Sequence, residues 1–271
     1  MNRNKYMAIL IGVTALCMIM GTLYHAMGFF RTGNKQEDTS VEISRELTEE
    51  NSREIKEPET EAAAANENLQ KITADIDLAD LVFQTGEGFH VDYTGDERFE
   101  PEVREKNGVL TITQHVDTKW FNVFGKENRK GIRITVTIPE GTELVELKTN
   151  LDLGDTKLNQ VKAENCTLDS DLGNIQCEDC DFSGIHMLSS LGDVHVKNCV
   201  FEDLDVRLDM GDADIDVQMD LSDADLDLAT DLGDVSINGK DQGSKHSHSG
   251  NGGIRVAVEN DMGNIDLDYT A

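Results

Sequence analysis

The chain has 271 residues, with 24 Lys+Arg against 53 Asp+Glu and a formal net charge of −29. That balance argues against DNA, RNA or any polyanionic substrate, because phosphate recognition needs clustered Lys and Arg. At 38% hydrophobic residues the sequence is too apolar for a wholly disordered acidic chain, so it folds and its acidity needs a structural explanation.

The charge is unevenly placed. Residues 1–35 carry 4 basic residues and no acid, whereas residues 151–271 carry 7 basic and 27 acidic. From Tyr6 to Phe30 there is no Asp, Glu, Lys or Arg. A helix over those positions rises roughly 37 Å, enough to cross a hydrocarbon core of about 30 Å with some tilt. The apolar run exceeds a signal-peptide h-region and no small-x-small cleavage site follows it. The reading is an uncleaved transmembrane anchor over 6–30 behind a cytoplasmic tail at 1–5. Arg3 and Lys5 precede the span and Arg31 and Lys35 follow it. The acidic bulk of the chain favours a single-pass protein of the cell membrane whose C-terminal domain is extracytoplasmic. Residues 31–70 are Glu-rich and free of aromatics, which predicts a flexible acidic stalk.

Four less regular strand patterns follow over 71–146: IDLADLVFQ, FHVDYTG, GVLTITQHV and GIRITVTIPEG. They predict irregular first coils and a cap over the N-terminal edge. Trp120, Phe121 and Phe124 form the densest aromatic cluster of this region. It reads as cover for the first coils, with a binding patch as the other reading.

Residues 147–271 are repetitive. LDLGDTKL, SDLGNIQC, SSLGDVHV, LDMGDADI, TDLGDVSI and NDMGNIDL place glycines at 154, 173, 192, 211, 233 and 263, with intervals of 19, 19, 19, 22 and 30. Each unit alternates apolar and polar residues with period 2 on either side of a Gly-Asp or Gly-Asn turn. Stacked units of this kind predict an all-β fold, a parallel β-solenoid of 19-residue LGD/LGN coils after one N-terminal transmembrane helix. Leu153, Leu172, Leu191, Met210, Leu232 and Met262 are expected to form one inward ladder. Thr156, Ile175, Val194, Ala213, Val235 and Ile265 are expected to form another. The Gly/Ser/His-rich segment 238–253 reads as a mobile loop, with His246 and His248 as loop spacers rather than a metal pair.

With these features on the page, the chain resembles the bacterial "putative adhesin" β-strand-repeat family, a domain of unknown function in envelope proteins of the LiaG type found in Gram-positive bacteria. The resemblance rests on the lone N-terminal apolar helix, the strand VTIPEGTELVELKTNLDLGD with Ile138-Pro139, and the LGD/LGN turns, and it spans roughly residues 71–271. It implies a right-handed β-solenoid outside the cytoplasm and no assigned enzymatic activity. No catalytic residue comes with it.

The turn acids carry two readings. Asp152, Asp155, Asp171, Asp193, Asp209, Asp212, Asp231 and Asp234 recur at fixed places and stack at about 4.8 Å, where like charges repel. They are candidates for weak Ca²⁺ binding, and no other cofactor is implied. The structural reading is that Asp and Asn side chains, including Asn174 and Asn264, hydrogen-bond turn N–H groups. Outward acids such as Asp214, Asp216, Asp225, Asp227, Asp266 and Asp268 read as a solvated face, or as a docking surface for a basic partner. Cys166, Cys177, Cys180 and Cys199 read chiefly as small core residues. A Cys180–Cys199 disulfide and a zinc or redox role for Cys177-x-x-Cys180 are the other readings.

The function class that follows is a non-enzymatic, membrane-anchored envelope module for binding or stress signalling. Its partners are the membrane, through the N-terminal helix, and an envelope protein or a second copy, with no nucleic acid. The alternative is a self-assembling structural or adhesive surface protein, because the chain ends just after a strand whose edge could pair with another molecule. A β-helix carbohydrate-active enzyme is the third class. Lyase chemistry on acidic sugars needs cationic groups, and the seven Lys/Arg of residues 151–271 are scattered.

Overall fold

Side-chain alternation builds each strand and places it. In the strand Lys162–Leu172, the buried side chains of Cys166, Leu168 and Ser170 alternate with Thr167, Asp169 and Asp171 on the outer face. Cys166 pairs in parallel with Leu147 on one side and Ile185 on the other, nineteen residues away in each direction. The computed structural model in which these pairings occur describes residues 69–116 and 131–270. The span expected over 6–30, most of the 31–70 stalk and Trp120, Phe121 and Phe124 lie outside the described residues. No helix among those described is long and apolar enough to cross a membrane.

Twenty strands of the described residues form two ten-stranded, mostly parallel sheets. Each coil sends one strand to each sheet. The coils are β1–β2 (Lys71–Ile76, Asp80–Gly86), β5–β6 (Val109–Gln114, Arg133–Pro139) and β7–β8 (Glu143–Leu153, Thr156–Asn159). They continue as β9–β10 (Lys162–Leu172, Ile175–Glu178), β11–β12 (Asp181–Leu191, Val194–Lys197) and β13–β14 (Val200–Leu208, Ala213–Asp220). The last two are β15–β16 (Asp225–Leu232, Val235–Ile237) and β19–β20 (Arg255–Met262, Ile265–Thr270). Four further strands, β3 (His90–Thr94), β4 (Glu102–Lys106), β17 (Lys240–Asp241) and β18 (Lys245–His248), run antiparallel.

Spatial order departs from chain order at both ends. β1–β2 lie between β5–β6 and β7–β8, and β19–β20 lie between β13–β14 and β15–β16. The last coil in sequence is therefore an interior rung, which corrects the expectation that its edge stands open. The outer rungs are covered instead, β5 and β6 by β4 and β3, β15 and β16 by β18 and β17. An antiparallel neighbour satisfies the N–H and C=O groups of an edge strand and needs only a short turn to reach it. Two of these turns are Asn-Gly pairs: Asn107 and Gly108 lie at φ 54° and 76°, Asn238 and Gly239 at 49° and 68°. Two-residue hairpins of the I′ kind need positive φ at both positions, which Asn and Gly tolerate. The 238–253 segment is thus not a free loop: it carries β17 and β18, and His246 and His248 sit on β18 opposite Leu228 and Leu226.

Between the sheets the side chains stack in ladders. On the second sheet Ile134, Leu81, Thr156, Ile175, Val194, Ala213, Ile265 and Val235 follow one another and all are buried. This is the second expected ladder with its last two members exchanged. Facing it, Leu110, Ile72, Leu147, Cys166, Ile185, Leu204, Val256 and Leu226 form a ladder of the first sheet. Cys177 sits between Leu158 and Val196. All four cysteines of the described residues are buried free thiols, and burial pushes Cys166 and Cys177 up from the ordinary thiol range. The Cys180 and Cys199 thiols donate to the carbonyls of Glu178 (3.3 Å) and Lys197 (3.4 Å).

The other expected ladder is not inward. Leu172, Leu191, Met210 and Leu232 are 46%, 44%, 41% and 51% exposed. Alternation places them on the inner side, but each stands where the chain leaves one sheet for the other. At that corner strand parity no longer sets direction.

The corner also explains the glycines. Gly192 has φ 153°, and a Cβ built on it would lie 2.0 Å from the Gly173 carbonyl oxygen of the neighbouring coil. The same contact recurs where the Gly154 carbonyl lies under Gly173 (1.8 Å) and the Gly192 carbonyl under Gly211 (2.1 Å). It continues across the exchanged coils, with Gly263 against Gly211 (1.9 Å) and Gly233 against Gly263 (2.0 Å). Backbone, not a mobile side chain, fills the space. Gly192→Ala should therefore lower unfolding stability by about 3 kcal/mol or more. Gly184→Ala, whose Cβ meets nothing nearer than 4.0 Å, should change it by less than about 0.5 kcal/mol. Urea melts of the two variants check the contrast; equal effects would remove the corner contact as the cause.

Candidate interaction edge

Four stacked rows run along this corner, and residue chemistry places each. The glycine row lies at its centre. Its carbonyls are held from inside by polar residues of the first sheet: Ser170 and Ser189 hydroxyls donate to Gly173 and Gly192 oxygens at 3.5 and 3.3 Å. Asn260 Nδ2 and Thr230 Oγ1 donate to Gly211 and Gly263 oxygens, each at 2.8 Å. These polar residues have a signal in the sequence: the position three before the glycine is Ser, Ser, Thr and Asn in four of the six units, against Leu151 and Leu208 in the other two.

After each glycine comes the inner acid row, in spatial order Asp80, Asp155, Asn174, Asp193, Asp212, Asn264 and Asp234. From Asp80 to Asn264, each side-chain Oδ1 accepts the backbone N–H of the same position in the next coil. The distances are 3.0 Å from Asn174 to Asp155, 2.9 Å from Asp193 to Asn174 and 2.9 Å from Asp212 to Asp193. They are 2.7 Å from Asn264 to Asp212 and 3.1 Å from Asp234 to Asn264. Asp155 N–H reaches Asp80 Oδ1 at 3.4 Å. The turn acids thus staple one coil to the next. With the last coils exchanged, Asn174 and Asn264 interrupt the row so that no more than two carboxylates are adjacent.

Before each glycine lies an apolar row: Leu78, Leu153, Leu172, Leu191, Met210, Met262 and Leu232, half-buried at three positions and exposed at four. One residue earlier lies the outer acid row: Asp77, Asp152, Asp171, Ser190, Asp209, Asp261 and Asp231. Ser190 divides it into two runs of three. The middle carboxylate of each run, Asp152 and Asp261, is raised above the ordinary carboxylate range. Partial burial is the larger cause; next come the flanking acids, Asp77 and Asp171 for the first, Asp209 and Asp231 for the second. Asp77 itself is met by His115 Nδ1 at 3.2 Å and by the Val116 N–H at 2.5 Å.

The eight acids that the sequence singles out for Ca²⁺ are therefore divided. Asp155, Asp193, Asp212 and Asp234 belong to the inner row, and Asp152, Asp171, Asp209 and Asp231 to the outer one. The apolar and glycine rows separate the two sets. Among the described residues no three His, Cys, Asp or Glu side chains gather around one point.

Elsewhere, a shallow cleft of about 150 Å³ opens on the outer face of the first sheet where Ala229 and Ala257 leave space. Its arginines pair with Asp205 and Asp203. Arg255 lies 2.9 Å from Asp203 and 3.7 Å from Asp205, and Arg207 lies 3.3 Å from Asp205.

Residues 69–271 match the family described as Toastrack DUF4097. The chain belongs to that family. Two solved structures are similar to it. One is a "putative cell adhesion protein" from Clostridium sporogenes, 15% identical, with 75% of this chain and 93% of that one covered and a TM-score of 0.47. The other is a "putative adhesin" from Bacteroides fragilis, 13% identical, with 75% and 94% covered and a TM-score of 0.42. The comparison with curated proteins returns no match.

The two acid rows of this Toastrack domain give opposite expectations. Asp152 and Asp261 have folded-state pKa values above those of the unfolded chain, so their ionisation costs stability at neutral pH. Asp261→Asn should raise the melting temperature at pH 7. The gain should shrink as pH falls through the raised folded value towards the ordinary carboxylate one, where wild type takes up the proton itself. A gain independent of pH would contradict the cost of ionising Asp261 in the fold. Conversely, Asn264→Asp inserts a charge between Asp212 and Asp234. It should cost about 1 kcal/mol at low ionic strength, and salt should restore the loss. Melts in 10 mM and 500 mM salt make that comparison.

Proposed function

We propose that this Toastrack protein is a non-enzymatic binding module of the cell envelope. In this reading the segment 6–30 tethers it to the membrane, residues 31–70 hold it away from the bilayer, and the domain acts outside the cytoplasm in envelope stress signalling. One observation carries the reading: the same exposed chemistry recurs on successive rungs of the corner. A repeated edge suits an extended partner, since every rung offers an equivalent contact.

Adhesion is the neighbouring reading and draws on the same edge, differing in whether the partner belongs to this cell or to another surface. The route to self-assembly through an open last coil is not part of either reading, because that coil is an interior rung.

The test is location and company in the cell. The full chain should fractionate with membranes, and protease added to intact cells should remove the domain while sparing the N-terminal tail. Crosslinking under envelope stress should enrich a protein that the unstressed sample lacks. Recovery of the chain in the soluble cytosolic fraction would sink the proposal.

A further inference from the structure

The apolar row of the corner is unusual in where it lies. Leu172, Leu191, Met210 and Leu232 are large side chains, in line, each exposed by more than two-fifths. The row passes over seven rungs at about 4.8 Å, a length of roughly 29 Å. Isolated exposed leucines need no explanation, but a continuous line of them marks an interaction surface. The line has carboxylates along both flanks, the outer acid row before it and the inner one beyond the glycines.

We propose that this row is the docking site of a cationic amphipathic helix. The apolar face of such a helix would lie along the Leu/Met line, and its flanking Lys or Arg side chains would reach the carboxylates on either side. Their long stems cover apolar surface while the charged ends meet the acids. At about 1.5 Å per residue, a helix of roughly 19 residues would span the row. The inference rests on the reading of this edge as a binding surface and names the chemistry of the partner.

Charge decides against the other occupants. A second copy would bring the same two acid rows against these, and one line of side chains buries far less than the roughly 800 Å² per partner of a stable dimer. An anionic bilayer is repelled in the same way. The regular recurrence of acids on both sides leaves a partner that is apolar along its centre and positive along its margins.

The row can be tested on the full chain held in phosphatidylcholine nanodiscs, with empty nanodiscs as the reference for peptide bound by lipid. The probe is a dye-labelled Leu/Lys peptide of about 20 residues with leucines on one helical face, followed by anisotropy. Leu172→Asn with Leu191→Asn should weaken binding by about tenfold or more. Asp171→Asn with Asp209→Asn should weaken it by about threefold and flatten its salt dependence. A peptide with Glu in place of Lys should not bind. Thermal melts confirm that the variants, all at exposed positions, remain folded. Equal affinity for wild type and the leucine variant would overturn the proposal, as would no binding beyond that of empty discs, or equal binding of the Glu peptide. It would likewise fall if the leucine substitutions abolished pairing of two-coloured discs or recruitment to phosphatidylglycerol vesicles instead. Failure here with the protein still at the cell surface removes the helix site alone. Peptide binding by a cytosolic protein would do the reverse.

Discussion

A single backbone contact sets the geometry of the corner: the carbonyl oxygen of one glycine occupies the space where the next coil's glycine would carry its Cβ. Any side chain there would force neighbouring turns apart and break the register of both sheets. Because the turns close to this distance, the following Asp or Asn can pass its side-chain oxygen to the N–H above it. The residue before the glycine, with no room inside, is carried outward. Core ladders, acid staples and the exposed apolar line are thus consequences of one approach distance, repeated.

The net charge of −29 takes its meaning from the same repetition. Eleven of the 53 acids stand in rows in which carboxylates recur at the rung spacing, and the rows are arranged to limit the resulting repulsion. Asn174 and Asn264 break the inner row, Ser190 breaks the outer one, and backbone N–H groups meet the inner oxygens. Where three acids still stand together, partial burial and then the flanking charges raise the middle carboxyls, Asp152 and Asp261. Four of the acids, Asp155, Asp193, Asp212 and Asp234, come from building turns on Gly-Asp, and most of the others lie outside these turns.

The repeat was legible because a period of nineteen and an alternation of two are properties of the chain itself. Most of the core follows from them, including Cys177 in its slot between Leu158 and Val196 and the buried run Thr156, Ile175 and Val194. What escaped was non-local. Leu172 has the parity of a core residue, and only the bend after it turns it to solvent. The exchange of the last two coils cannot be read from spacing, since a 30-residue interval fits a loop as well as a capping hairpin and a return. Asn107-Gly108 and Asn238-Gly239 were the available signals: each marks a tight hairpin, and together they locate both caps. The candidate site was half visible. Its acids recur at the rung period, whereas the parity of its apolar row points inward.

The threading of the terminal coils bears on how such a domain can change length. In a simple stack, repeats are added or lost at an end, since each touches only its neighbours. Here Arg255 of the final coil is wedged between Asp203 and Asp225, and Lys71 of the first lies between Val109 and Glu146. Each end is a clasp closed by distant parts of the chain. Removing the last coil would open a gap inside the stack rather than shorten it, and a coil appended after it would have no free edge to join. A coil inserted among the uniform coils from β7 to β13 would leave both clasps closed and lengthen the exposed edge by one rung.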